Sequence, residues 1–401
     1  MIKIKNKIDC CGCSACQQVC PKQCITLTAD KEGFLYPSVD IEACTNCHLC
    51  EKVCPVINKF KSSSNPVSYA CKNNDERIRS ISSSGGAFSA LAEKIIEEGG
   101  VVFGAKFSED WSVVHGFSES FDGINLFRGS KYVQSSMGNT FKNVKAFLKQ
   151  GRKVLFTGTP CQVSGLNHYL QKEYDNLITI DIVCHSIASP SVWQKYIDEI
   201  SQGRQISQLT FRDKSLGWHS YALKILGTDL SGSEVVLDHG AQIENPYMRG
   251  FLEDLTVRPS CSCCPARNYV SGSDIMLADF WRMEKYHPEW DDNKGMSLVI
   301  VLTNKGQELL DSCKSKMFCK HVPYSEVEDR GVHAPITSST PLHPFHKYFF
   351  KHYMEVPIIQ LLNECLKKND IKKKRKKQVS EFLRTTGLIY ILRICKKIIR
   401  K

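Results

Sequence analysis

The sequence lacks any apolar run approaching the roughly 20 residues that a membrane-spanning helix needs, and its opening, MIKIKNKID, has no apolar leader segment. It also lacks an excess of charge over most of its length. The net charge is +11, but residues 367–401 carry 14 Lys and Arg against Asp370 and Glu381, so the first 366 residues sum to −1. That basic stretch has no aromatic interleaving of the kind that stacks bases, which argues against nucleic acid as a partner. At 42% hydrophobic and 24% charged over 401 residues, the rest is ordinary globular composition, with room for two domains and a tail.

Cysteine is abundant, at 20 residues. In a short secreted chain this would mean disulfides, but eight of them fall in a repeated pattern and no leader precedes them, so a reducing, cytoplasmic setting is expected. The string Cys-x-x-Cys-x-x-Cys-x-x-x-Cys-Pro occurs at Cys10, Cys13, Cys16, Cys20 and Pro21, and again at Cys44, Cys47, Cys50, Cys54 and Pro55. Three thiolates so spaced wrap one iron–sulfur cube, while the fourth reaches the other cube. The expected sets are crossed: Cys10, Cys13, Cys16 and Cys54 hold one 4Fe-4S cluster, and Cys44, Cys47, Cys50 and Cys20 the other. Zinc also takes four cysteines, yet zinc ribbons rarely step three evenly before a fourth followed by proline. The offset of 34 residues predicts two half-sites about a pseudo-two-fold axis, with a small hairpin at Cys24–Gly33 between them.

Residues 1–60 therefore form a ferredoxin-like module, and the polar stretch Lys61–Pro66 reads as a linker. Beyond it, apolar runs at Val101–Phe103, Val154–Phe156, Ile178–Val183, Asp274–Leu277 and Leu298–Leu302 predict strands covered on both faces, hence an α/β or mixed sheet. A helix is expected from Phe88, Leu91 and Ile95 on one face, with Ser82–Ser84 as caps and Gly99–Gly100 as the stop. Its glycine-rich start, SSSGGAFS, suits a phosphate or pyrophosphate; the plainer alternative is a capped helix whose glycines allow close packing.

A third cysteine set is proposed from strand ends. Cys161 follows the run Val154–Phe156 and Cys184 ends Ile178–Val183, while Cys261 and Cys264 stand at Cys-x-x-Cys spacing in RPSCSCCP. Carboxyl ends of strands in open sheets line ligand crevices, so these thiols are expected to meet and hold one more cluster. The alternatives are small buried hydrophobes, zinc, or Cys263 in place of a neighbour. Cys11, Cys24, Cys71, Cys313, Cys319, Cys365 and Cys395 lack metal spacing and read as packing or surface residues. For proton transfer the acid–base residue is unassigned; His185 is nearest the predicted site, with His115 and His219 further away.

These strings together resemble the family of coenzyme F420 hydrogenase/dehydrogenase beta subunits, iron–sulfur flavoproteins that include relatives lacking that deazaflavin. The strings are the double ferredoxin motif, SSSGG at 82–86, GSKYVQSS at 129–136, FTGTPCQVSGL at 156–166, IDIVCHS at 180–186, FRDK at 211–214, RPSCSCC at 258–264 and DIMLADFW at 274–281. The resemblance implies an α+β ferredoxin-like N-terminal module (1–60), a mixed α/β flavin-binding domain (67–345) and a basic helical tail (346–401). It implies FAD, a third 4Fe-4S cluster at Cys161, Cys184, Cys261 and Cys264, and nucleotide-facing positions at Ser84, Gly85, Gly86, Lys131, Tyr132, Gln134, Ser135 and Thr159. Lys131 would pair with a phosphate and Tyr132 would cover a ring. Two motifs depart from the family pattern: CHSIAS has Ser186 for glycine and Ala188 for proline, and ADFWR has Ala278 and Arg282 where glycine is usual.

The implied function is an iron–sulfur flavoprotein oxidoreductase that passes electrons between clusters and FAD to act on a coenzyme or small-molecule substrate, polysaccharide biosynthesis being one setting of its relatives. The alternative is an electron-transfer subunit serving a separate catalytic partner. A ferredoxin, a reduced coenzyme or that catalytic subunit would be the redox partner. In the tail, IKKKRKK at 371–377 and the helical spacing of Leu388, Ile391, Leu392, Cys395, Ile398 and Ile399 outline a basic amphipathic helix. It would lie on an anionic membrane surface, peripheral to the inner face, or stay solvated or partner-bound.

Overall fold

The computed structural model describes residues 1–62, 65–328 and 334–385, with side chains through 374. Near the N-terminus, strands β1 (Ile25–Ala29) and β2 (Leu35–Val39) pair antiparallel as the expected hairpin. Its turn is tied by Asp30, whose carboxylate accepts from the N–H groups of Glu32 and Phe34, and Gly33 takes the left-handed conformation there at φ +79°. Short helices Ala15–Val19 and Leu49–Lys52 lie 34 positions apart, and so do the left-handed pairs Gly12/Asn46 and Ser14/His48. The two halves thus repeat in backbone conformation as well as in sequence.

The main body is an eight-stranded mixed sheet. Its strands are β3 (Val67–Asn73), β4 (Val101–Phe107), β5 (Val113–Ser118), β6 (Val154–Gly158), β7 (Leu177–Ile182), β11 (Ile275–Asp279), β12 (Ser297–Val301) and β13 (Met317–Val322). The order is β13-β3-β12-β11-β7-β6-β4-β5, parallel from β11 to β4 and antiparallel toward both edges. The five strands expected from continuous apolar runs are β4, β6, β7, β11 and β12, which stand together in the middle of the sheet. Both faces are covered, as such runs require: helix Ala87–Glu97 packs over Val102, Leu155 and Ile180, and helices Thr140–Lys149 and Pro160–Leu170 pack over Phe103, Val154 and Phe156.

A separate antiparallel sheet of β8 (Ile206–Asp213), β9 (Ala222–Thr228) and β10 (Glu234–Ala241) carries a second core with helices Pro190–Ser201 and Pro246–Leu252. Residues beyond 346, expected as a tail, begin inside this core: Phe349 in helix His346–His352, and Leu361, Leu362 and Cys365 in helix Ile358–Thr385, are buried. An apolar helix face needs a partner, and here the body supplies it. The run Ile371–Lys377 continues that helix, and the amphipathic segment 388–399 lies outside the described residues. No helix among the described residues is long and apolar enough to cross a membrane.

The expected serine caps are not caps. Helix Ala87–Glu97 starts at Gly86 (φ +85°) with no side-chain cap. The hydroxyls are taken elsewhere: Ser82 donates to the Ile78 carbonyl, Ser84 to that of Met296, and Ser83 accepts from the Ser130 N–H. Gly85 is required by contact, since a Cβ there would stand 2.4 Å from the Cys71 carbonyl oxygen.

Candidate metal centres

The ferredoxin-like module is docked into the body at both ends. Arg258, fully buried, donates from Nε to the Cys10 carbonyl (2.8 Å), from Nη1 to Gln134 Oε1 (3.1 Å) and from Nη2 to the Leu35 carbonyl (2.9 Å). Its guanidinium also lies over the rings of Tyr36 and Phe34. Gln18 reaches across to accept from the Phe141 N–H (2.8 Å), satisfying a helix start that has no side-chain cap of its own. Gly12 takes the left-handed conformation at φ +74°, which favours glycine, and a Cβ there would also crowd the Gln134 amide at 2.4 Å.

Cys20, Cys44, Cys47 and Cys50 line one cavity, which opens at the surface where Cys47 is exposed. The Ile2 N–H points at Cys50 Sγ (3.1 Å) and the Asn46 N–H at Cys44 Sγ (3.4 Å), the kind of N–H···S contact that tunes a thiolate-bound cluster. The other set also gathers: burial and then the thiols of Cys10 and Cys54 push Cys16 up to about 12, and Cys54 is raised by burial with Cys10 and Cys50 beside it. Cys50 of the second motif also acts on Cys16 and Cys54. Cys24 joins the surface cavity, 3.4 Å from Cys20, although its spacing marked it for packing.

Cys161, Cys184, Cys261 and Cys264 line a second cavity, brought from three segments distant in sequence. Cys161 sits in the first turn of helix Pro160–Leu170, directly after β6, and Cys184 just past β7. The Cys184 and Cys261 segments run side by side through an antiparallel bridge, Ala188 to Val257, and the Arg258 N–H donates to the Ile187 carbonyl. In the free chain, burial and neighbouring thiols push Cys261 up to about 12 and Cys264 up to about 11, and raise Cys184 as well. Four thiols lining one cavity are a donor set that a bound cationic core would deprotonate, so the residues fit an all-thiolate group. Cys263 is exposed and does not line the cavity, so it is no substitute ligand. Cys11 also lines it while packed in the core, the role its lack of metal spacing suggested.

The remaining sequence-marked residues divide between two places. Gln134 and Ser135 serve the docking region, Gln134 on Arg258 and Ser135 between His115 Nδ1 (2.9 Å) and Gln162 Nε2 (2.8 Å). Thr159 and Gln162 form the capping box of helix Pro160–Leu170. Lys131 is spent on the carbonyls of Leu126, Arg128 and Gly129, and burial lowers it to about 7. Tyr132 stacks on Phe251 at 4.8 Å and its hydroxyl accepts from Arg212 (3.1 Å). Arg212, missed as a site residue, is where four of the quoted strings meet. It forks onto Asp279 with two 2.9 Å contacts, donates to the Ser83 carbonyl, and lies over Tyr221. Trp218 donates to the same carboxylate and stacks on Trp281 at 4.4 Å. Arg212 Nε is buried with no partner among the described residues, an open donor for a ligand acceptor.

Of the histidines, His115 bonds Ser135 and the Thr157 carbonyl and is pulled down to about 4 by burial, a structural arrangement. His185 lines the second cavity, with Nε2 3.2 Å from Asp254. His219 lies 3.0 Å from Asp291, away from it.

Comparison with known proteins agrees with this division. Residues 9–58 match the model for a 4Fe-4S dicluster domain, and residues 151–327 match that for the C terminus of the beta subunit of coenzyme F420 hydrogenase/dehydrogenase. The chain is 24% identical over 165 residues to the F subunit of F420H2 dehydrogenase from Methanosarcina mazei, covering 38% of this chain and 46% of that one. It is 40% identical over 52 residues to an uncharacterised ferredoxin of Methanocaldococcus jannaschii, covering 13% and 66%. The chain thus spans about half of the first relative and about two thirds of the second. A chain of the F420-reducing [NiFe] hydrogenase complex from Methanosarcina barkeri aligns over 80% of this chain and 94% of that one, at 17% identity and a TM-score of 0.43. The protein joins an N-terminal 4Fe-4S dicluster domain to a C-terminal domain belonging to the family of coenzyme F420 hydrogenase/dehydrogenase beta subunits.

Proposed function

We propose that this chain is an iron–sulfur electron-transfer subunit of the F420 hydrogenase/dehydrogenase type, with three cluster sites, a flavin site, and a separate catalytic partner. Bound 4Fe-4S cubes carry single electrons and a bound flavin exchanges one or two. The chain's residues supply positions. Cys10, Cys13, Cys16 and Cys54 hold the first cluster, Cys20, Cys44, Cys47 and Cys50 the second, and Cys161, Cys184, Cys261 and Cys264 the third.

The observation that carries this reading is the continuity of the thiols, from exposed Cys47 to the buried second cavity. Cys13 packs against Gly165 of the helix that opens with Cys161, one turn away on the same face, so the first and third sets share one rigid element. The relative from Methanosarcina mazei is by its name a dehydrogenase subunit, which supports a partner-dependent role.

FAD is assigned to the Arg212 region. The partnerless Nε of Arg212 and the uncapped start of helix Ala87–Glu97 both offer donors to an anionic, acceptor-rich ligand. That open donor also favours a second reading, a self-contained flavin oxidoreductase with its own small-molecule substrate. Anaerobic protein reduced by a ferredoxin or by a reduced deazaflavin coenzyme separates the two. Reduction of bound flavin without substrate turnover until a catalytic partner is added fits the subunit, and turnover by the isolated chain fits the enzyme. Unimpaired flavin reduction in Cys13→Ser would remove the electron-transfer route altogether.

A further inference from the structure

Strand β13 forms one edge of the eight-stranded sheet and pairs with β3 in a register that sets Cys319 directly opposite Cys71. In an antiparallel ladder, opposed residues alternate between hydrogen-bonded pairs and closer pairs that exchange no hydrogen bond. The Asn74 N–H donates to the Lys316 carbonyl at 2.9 Å, which makes that pair the bonded kind. Alternation from there makes Lys72 and Phe318 a bonded pair and leaves Cys71 and Cys319 at a close one, with Cα atoms about 4.5 Å apart. A disulfide spans Cα separations of about 4.4–6.8 Å, so the backbone already suits one.

The side chains complete the arrangement. Cys71 Sγ donates to Cys319 Sγ at 3.1 Å. Both lie on the sheet face that packs under helix Ala87–Glu97, Cys71 fully buried and Cys319 partly exposed. A further thiol of that core, Cys313, is turned to the Ala90 carbonyl. The hydrogen bond from Cys71 lowers the Cys319 thiol against the opposing effect of burial, and Lys314 adds to it, so the reachable member of the pair is the one that favours the thiolate.

We propose that Cys71 and Cys319 form a reversible disulfide site, closed by a low-molecular-weight disulfide and reopened by the corresponding thiol. The Cys319 thiolate attacks the sulfur–sulfur bond of the oxidant, forming a mixed disulfide and releasing one small thiolate, which takes up the proton that Cys319 gave up. Cys71, already in contact, then attacks Cys319 Sγ, and the second small thiol leaves with the Cys71 proton. Two protein thiols are thereby oxidised to one disulfide while the small disulfide is reduced to two thiols. The new bond ties edge strand β13 to β3, whose Cys71 carbonyl is the atom against Gly85. The site uses none of the thiols assigned to clusters and needs no bound flavin, so it stands apart from the three-cluster reading.

The test uses full-length protein purified without oxygen and incubated, still folded, with oxidised glutathione. Free thiols are then blocked with iodoacetamide, and the digested protein is read by mass spectrometry before and after dithiothreitol. The expected result is a peptide pair joined through Cys71 and Cys319, lighter by two hydrogens than the separate peptides and lost on treatment with dithiothreitol. In Cys71→Ser the reaction should stop halfway, with glutathione retained on Cys319; where the serine variant fails to fold, Cys71→Ala is read the same way. Recovery of Cys71 and Cys319 from the wild type as separately alkylated peptides, or with glutathione left on Cys319, overturns the site. So does a bond from either residue to another cysteine, and a folded Cys71 variant free of glutathione at Cys319 overturns that thiol as the point of attack.

Discussion

Gly165 and Cys13 touch where no side chain fits between them: a Cβ on Gly165 would stand 2.8 Å from Cys13 Cβ and 3.1 Å from its Sγ. The ferredoxin-like module is therefore seated directly on the helix that begins beside Cys161. Gly165→Val is expected to push Cys13 out of place, costing about 1–3 kcal/mol by overpacking. The first cluster's signal should weaken while that of Cys20, Cys44, Cys47 and Cys50 persists, which reduced-state paramagnetic spectra would display.

Crossed ligation makes its own demand. Cys20 lies in the first motif but lines the cavity of the second. Cys20→Ala should therefore remove the surface-facing cluster, about 4 iron atoms, and spare the one held by Cys10, Cys13 and Cys16. Loss of the interior cluster would contradict the crossing.

Arg258 is the clasp between module and body. Arg258→Met keeps the bulk of the stem but strands the carbonyls of Cys10 and Leu35 and the Gln134 amide. The expected cost is about 3 kcal/mol, since hydrogen bonds to a charged donor are the stronger kind and buried partners are left unsatisfied. Thermal unfolding should show a lowered transition and, with the module loosened, earlier proteolysis in the Lys61–Pro66 stretch.

His115 predicts a pH dependence. Burial holds it neutral in the folded chain down to about 4, whereas an unfolded histidine charges near 6.5. The unfolded state thus takes up a proton first as pH falls, so stability is complete above about 6.5 and is lost on acidification toward about 4. His115→Gln, which keeps a donor for the Thr157 carbonyl, should flatten that loss. Chemical denaturation of wild type and variant at pH 7.5 and pH 5 measures it, about 2 kcal/mol separating their pH dependences.

Arg212→Lys keeps the charge but loses the fork to Asp279 and the free Nε. Flavin retention should fall at least tenfold, about 1.4 kcal/mol, with iron content unchanged. Equal flavin content in the variant would take the flavin away from this region.

The central strands were legible because burial on both faces writes continuous apolar runs, as in Val154–Phe156 and Ile178–Val183. β10 was not, because its half-exposed face mixes polar and apolar residues, from exposed Glu234 to half-buried Ala241. The cysteine spacing disclosed the dicluster domain, since its eight motif cysteines lie within one short stretch of chain. The docking was hidden, because it depends on Arg258, 248 positions from the carbonyl it holds. Ser82–Ser84 looked like caps in isolation, yet the local Ile78 carbonyl and tertiary partners at Ser130 and Met296 claim their hydroxyls.

Iron and acid-labile sulfide counted per chain in protein purified without oxygen bear most directly on the arrangement of twelve clustered thiols. About 12 of each, with low-potential paramagnetic signals appearing on dithionite reduction, is the expected result. Colourless protein holding zinc, with no sulfide and no signal on reduction, would contradict it.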